Sequence, residues 1–124
     1  MALTERNRVI ISQVAKALFI DRDVDRFAEH VSDEEYIQHN PLIPNGKAAV
    51  IAFLRVIAAA NTATAELKHI VVDGDIGVVH AQFTDGSGQP PQTIVDMFRI
   101  RDGKLVEHWD VMNLKIEQYL SKIG

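Results

Sequence analysis

Three ionisable residues lie close together late in the chain: Asp96, His108 and Asp110. Two carboxylates and an imidazole can keep one proton while leaving another position free to accept one, which is what general acid–base chemistry requires. Their spacing matters because side chains alternate faces along a β-strand. Asp96, Phe98 and Ile100 fall on one face of a first segment. Val106, His108 and Asp110 fall on one face of the next, with Glu107 and Trp109 turned away. Whether the two sets meet depends on the turn between them. A three-residue Arg101-Asp102-Gly103 loop pairs Ile100 with Lys104, Phe98 with Val106 and Asp96 with His108, and leaves Ile94 opposite Asp110. A two-residue Asp102-Gly103 turn puts Asp96 opposite Trp109 instead. Turn preferences and the grouping of the ionisable residues favour the first form. Apolar neighbours make a carboxylate hold its proton harder, and a nearby imidazolium makes it let go. The alternative is a solvated Asp–His–Asp group, since antiparallel sheets often leave one face in water.

These residues need a scaffold, and the rest of the chain supplies its outline. A length of 124 residues suits one domain, 1–124, around one core. The 47% hydrophobic and 24% charged composition is that of a soluble globular protein. A net charge of −4, with the basic residues scattered, argues against nucleic acid or an anionic membrane as partner. The absence of cysteine excludes disulfides, thiolate nucleophiles and cysteine-based zinc sites. Met1–Arg8 lacks the apolar stretch of a signal peptide, and the longest apolar run, Ala48–Leu54, is too short to span a bilayer. A cytoplasmic protein is the default expectation.

The hydrophobic pattern changes once, from helical to strand-like. Helices are expected over Thr4–Ile20 with Thr4 as N-cap, over Asp23–His30, and over Lys47–Ala60. The third is apolar nearly all round, which predicts burial on more than one side, against a sheet and a partner subunit. Tyr36–Asn40 is extended, since Pro41 turns Asn40 away from helical angles. Strands are expected over Thr64–Val72, Ile76–Thr84, Thr93–Ile100 and Lys104–Val111, separated by Asp73-Gly74, Asp85–Pro91 and Asp102-Gly103. Leu114–Ile123 is a candidate closing helix. Helices followed by a meander make an α+β fold with helices on one face of a curved antiparallel sheet.

The stretch Tyr36-Ile37-Gln38-His39-Asn40-Pro41, the helix led by Gly46, and Asp96-Met97-Phe98-Arg99, Asp102-Gly103-Lys104 and Glu107-His108-Trp109-Asp110 together resemble SnoaL-like proteins of the nuclear transport factor 2-like superfamily. The resemblance implies a cone-shaped fold, with a strongly bent antiparallel sheet wrapped around three N-terminal helices and an apolar pocket open at one end. It also implies a homodimer. In the polyketide cyclases of this kind, an aspartate on a late strand is the general acid/base of an intramolecular aldol closure, without cofactor or metal. Asp110 matches it by strand placement. Ketosteroid isomerase, a more distant relative, uses an aspartate directly before a proline. Here Asn40 precedes Pro41, and an amide cannot take that proton. That enzyme's oxyanion tyrosine falls near Ala17 or Leu18, a second departure, and only Asp96-Met97-Phe98-Arg99 resembles its Asp-x-x-Arg. Steroid-type isomerisation is therefore disfavoured, and Asn40 is left to orient a carbonyl.

The expected machinery is Asp110 as acid or base, His108 as its partner and Asp96 as a second proton carrier. Asn40, His39, His80, Tyr36 and Phe98 are the candidate substrate-binding residues. Pocket and non-pocket positions stay open for His39 and His80, and pocket lining or ordinary core for Tyr36 and Phe98. His69 and His30 read as structural, His30 as a cation at a helix C-terminus. His39, His80 and His108 with Asp96 contain a recognised ligand set, but no His-x-His spacing supports it, so no metal and no cofactor are expected. The functional expectation is an acid–base enzyme on a small apolar carbonyl compound, of aldol-cyclisation or isomerisation type, hence an isomerase or lyase. The alternatives are a non-catalytic binding protein or structural homodimer, and a hydrolase whose Asp/His pair activates water. Arg99 points away from Asp96 along its strand and so lacks the placement such a hydrolase needs.

Overall fold

The computed structural model describes residues 1–59 and 63–112. Helix α1 spans Leu3–Ala15 and buries Ile11, Val14 and Ala15, a helical-period stripe. Thr4, expected to cap it, lies inside its first turn. The Thr4 hydroxyl instead accepts from the Gly74 N–H at 3.0 Å, and Asn7 Nδ2 donates to the Gly74 carbonyl at 2.8 Å. The helix then widens into a π-helical turn over Lys16–Ile20. Helix α2, Val24–His30, starts at Asp23, whose side chain accepts from the Arg26 N–H at 3.0 Å. His30 lies in the last turn of α2 as expected; burial, then the Lys104 charge, lowers its pKa, and Glu29 opposes them.

Helix α3 spans Lys47–Ala59. Within one chain it is buried on one side only, and the side expected to meet a partner subunit stays exposed. Val50 is its one buried residue among those described, while Phe53 and Val56 are 42% and 72% exposed. The apolar face made by Val50, Phe53, Leu54 and Ile57 lines a cavity instead. The expected closing helix Leu114–Ile123 lies outside the described residues.

Five strands follow the expected boundaries closely: β1 Ile37–Gln38, β2 Thr64–Asp73, β3 Ile76–Thr84, β4 Gln92–Arg101 and β5 Lys104–Met112. They form one sheet in the order β1-β5-β4-β3-β2. Among these five strands the β1–β5 pair is parallel and the other pairs are antiparallel. The core lies between the inner face, with Val79, Phe98, Ile100 and Leu105, and the helices, with Ile11, Val14 and Phe27. At Gly77 the helix comes so near that a β-carbon would overlap the buried Ile11 side chain.

The fold is α+β with three N-terminal helices, but the implied cone needs correction. The sheet is neither closed nor strongly curled, and its edge strands β1 and β2 do not pair. Strong curvature needs repeated bulges or kinks along the strands. Among the described residues the register shifts twice, at Leu67/His69 and at Arg99/Ile100.

Candidate functional site

The β4–β5 hairpin sets the site. Its turn has the two-residue form: Arg101 pairs with Lys104, and Asp102 and Gly103 have φ of 51° and 78°. Two successive positive φ values define the turn whose twist suits a hairpin, and Asp-Gly is among its preferred sequences. Uncorrected, that turn would set Asp96 opposite Trp109. A β-bulge next to it supplies one more residue. Ile100 pairs with Leu105 and Arg99 with Glu107, so Val106 is the extra one. Beyond the bulge Phe98 faces His108 and Asp96 faces Asp110. The expected pairs Asp96–His108 and Ile94–Asp110 are thus replaced, yet all four inward side chains still share one face.

Strand β1 completes the group. Its parallel pairing puts Gln38 beside His108. Alternation then turns Tyr36, Gln38 and Asn40 inward and Ile37 and His39 outward. The inward residues meet at a cavity of about 240 Å³. Leu18 and Phe19 of the π-helical turn, α3, and Phe83 and Ile94 of the sheet form apolar walls. Tyr36, Gln38, Asn40, Asp96, His108 and Asp110 form the polar patch. A mostly apolar hollow with a few convergent polar groups is the usual form of a small-molecule site, although this one falls just below the common range of roughly 300–1,000 Å³.

The hydrogen bonds fix proton positions. His108 Nδ1 lies 2.6 Å from Gln38 Oε1, and His108 Nε2 lies 2.9 Å from Asp96 Oδ1. Gln38 Oε1 also accepts the Asn40 backbone N–H at 3.3 Å, so the amide presents its oxygen on this side. An amide oxygen only accepts, so His108 Nδ1 carries a hydrogen. One further hydrogen lies between His108 Nε2 and Asp96, making either an imidazolium–carboxylate or an imidazole–carboxylic acid pair. The two side chains are 10% and 13% exposed, which shields the pair from water. Asp110 is held separately: Asn40 Nδ2 donates to its Oδ2 at 3.1 Å. Asn40 Oδ1 accepts from the Leu42 N–H at 3.0 Å, an Asx turn that aims the amide nitrogen. Phe98 is buried against His108, with ring centroids 4.9 Å apart. Burial, seconded by the Asp96 and Asp110 charges, holds the Tyr36 hydroxyl far above the usual tyrosine range.

Two expected site residues lie elsewhere. His39 is on the outer face, stacked on Trp109 at 4.8 Å and 2.7 Å from Glu107 Oε2. His80 is also on that face, with its Nδ1 3.0 Å from His69 Nδ1. Both are on outward steps of their strands, so the cavity wall contains neither. Arg99 is likewise outside, paired with Asp75 at 2.6 Å and Glu107 at 3.0 Å. Gln38 was absent from the expected set. The alternation that places Asn40 inward places Gln38 there too, and that was the available signal.

The histidine-rich metal set does not assemble. Asp96, His108 and Asp110 do offer three ligand atoms within 4.8 Å of one another, so they are the residues that could hold a cation. Both His108 ring nitrogens are already hydrogen-bonded, so a cation would first have to break the contact to Asp96 or Gln38.

Comparison with known proteins agrees with this fold. No protein of curated function matches the chain. TsrD from Streptomyces laurentii superposes with a TM-score of 0.71 at 22% identity, over 91% of this chain and 92% of that one. A candidate ketosteroid isomerase from Kribbella flavida gives 0.76 at 18% identity, over 92% and 82%. A candidate SnoaL-like polyketide cyclase from Jannaschia gives 0.71 at 20% identity, over 99% and 92%. Likenesses at these identities speak for the fold. The sequence itself matches the family model of the SnoaL-like domain over residues 13–108. With most of its length matched, the chain belongs to the SnoaL-like family of the nuclear transport factor 2-like superfamily.

Proposed function

We propose that the protein is an acid–base enzyme acting on a small apolar carbonyl compound, in a reaction of the aldol-cyclisation or isomerisation type that calls on no cofactor. The observation that carries this reading is the division of labour at one cavity. Asp110, held by Asn40, has an oxygen free of the Asn40 contact, while the Asp96–His108 pair holds a proton of its own. Asp110 takes a proton from the carbon next to the carbonyl. The Asp96–His108 pair delivers or receives the second proton that cyclisation or isomerisation needs. The apolar walls from α3 and the π-helical turn suit a hydrocarbon skeleton and keep bulk water from the reacting carbon.

The test needs no knowledge of the natural substrate. Small enolisable ketones are incubated with the protein in heavy water, and exchange of their α-hydrogens is followed by NMR. The wild type is expected to accelerate exchange. Asp110→Asn should keep the circular-dichroism spectrum and lose about a hundredfold or more of the rate. Equal exchange by the two proteins would remove the role of Asp110 and leave a binding protein.

We also infer a homodimer. It is supported by exposed apolar residues on two surfaces: Phe53 and Val56 on α3, and Val71 and Val111 on the outer sheet face.

A further inference from the structure

Two polar atoms at the cavity are buried without a hydrogen-bond partner among the described residues: the Tyr36 hydroxyl oxygen and the Gln38 amide nitrogen. Tyr36 is 3% exposed and Gln38 is 9% exposed, and both line the cavity. Such atoms are rare, because a buried donor without an acceptor has lost its hydration and gained nothing. Here both belong to residues two apart on the same side of the extended segment that carries β1, and both residues line the cavity.

Their chemistry says what belongs there. The amide nitrogen is a donor only. Burial and the two neighbouring carboxylates keep the Tyr36 hydroxyl un-ionised, so it too has a hydrogen to give. Both therefore ask for an acceptor. The Asp96–His108 pair is neutral overall, so the uncompensated charge beside Tyr36 is that of Asp110, which disfavours an anionic group such as a carboxylate or phosphate. An uncharged oxygen with lone pairs and an apolar body satisfies all these conditions. Asn40 Nδ2 already gives one hydrogen to Asp110 and its Oδ1 accepts from the Leu42 N–H, so its amide, unlike the other two groups, is not left without a partner.

We propose that the Tyr36 hydroxyl and the Gln38 side-chain amide together receive the carbonyl oxygen of an uncharged ketone. The proposal rests on the acid–base reading and names the atoms that make it work. When Asp110 takes the α-proton, the C–H electron pair forms the new C=C bond and the C=O π pair moves onto the oxygen. Both donors then bind that oxygen more strongly than in the ketone, which is how preorganised donors lower such a barrier.

The probe is α-tetralone, compared with tetralin, which has the same rings without the oxygen. Calorimetric titration of the wild type is expected to favour α-tetralone by about tenfold. Tyr36→Phe, and Gln38→Glu, which keeps an oxygen toward His108 but removes the donor, should each lose about three- to tenfold of that preference. Tetralin affinity should not move. The NMR resonance of an isotope-labelled carbonyl carbon should shift downfield on binding to the wild type and shift less in each variant. Free Tyr36→Phe should melt higher than the wild type, because it removes an unsatisfied buried group. Equal affinity for the two ligands in the wild type overturns the proposal. So does a preference that survives in both variants, or a lower melting temperature of Tyr36→Phe with the preference intact. These measurements involve no turnover. A ketone preference carried by Tyr36 and Gln38, with exchange independent of Asp110, would defeat the acid–base reading alone. The reverse result would defeat the donor pair alone.

Discussion

Glu107 stands back to back with the candidate site, one residue before His108 and on the opposite face. His39 Nε2 is 2.7 Å from one of its oxygens and Arg99 Nε 3.0 Å from the other. The His39 hydrogen bond is the main cause holding its carboxyl below the usual glutamate range; burial opposes it and Arg99 adds to it. A depressed carboxylate pKa gives stability that is present above the unfolded value and lost as pH falls through the folded one. Glu107→Gln should therefore melt about 3–5 °C lower than the wild type near neutral pH, equivalent to roughly 1 kcal/mol. The gap should shrink as the pH is lowered past the usual glutamate range, and a gap of undiminished size in acid would rule out this account. The same residues show how far alternation alone could be read. It grouped Asp96 with Phe98, and His108 with Asp110, but joined the two sets through a three-residue turn that the structure replaces with a two-residue turn and a bulge. Gln38 obeys the same rule but has no charge, so a search for ionisable groups passed over it. His80 could not be placed because Val78 and Gln82 on one side alternate with Val79 and Ala81 on the other, and neither set is decisively polar.

At the scale of elements, helix and sheet come into close contact where Ile11 of α1 lies over Gly77 of β3. Ile11 is fully buried, so its side chain has nowhere to retreat. Gly77→Ala is expected to destabilise the protein by about 1–3 kcal/mol, the usual cost of overpacking a filled core. Chemical denaturation measures it, and a neutral result would mean that α1 slides easily on the sheet. The helix and strand limits were legible because apolar periodicity and the Asp-Gly turns mark them. The bulge at Val106 was not. It replaces no turn residue and no glycine, and its cause is local: Leu105 and Val106 are both buried, at 0% and 6% exposure, so neither could have been turned to water. The cap at Thr4 was misplaced for a similar reason, because its hydroxyl found a tertiary partner in Gly74.

At the scale of the whole molecule, the resemblance carried the family correctly and the shape too far, since an open sheet of five strands stands where a cone was implied. Among the described residues no helix is long and apolar enough to cross a membrane. Val56, at 72% exposure, and Val111, at 61%, lie on separate surfaces, and each is an apolar residue that a second copy could cover. Sedimentation at micromolar concentration should give a dimer, and Val111→Lys or Val56→Lys should dissociate it according to which surface is used; a monomeric wild type removes the inference. The Val106 bulge has a consequence beyond the site it serves. The turn and the bulge together count residues, and the count decides which half of β5 is interior. Val106 is the residue of the bulge with no partner of its own, so deleting it closes the ladder and leaves Phe98 facing His108 and Asp96 facing Asp110. Straightening the strand with Val106 kept is what slips the register: Trp109 would then face Asp96, and His108 and Asp110 would turn outward. The hairpin can therefore lose a residue at this point and keep its inward set, whereas a change that irons out the bulge without shortening the strand exchanges its two faces.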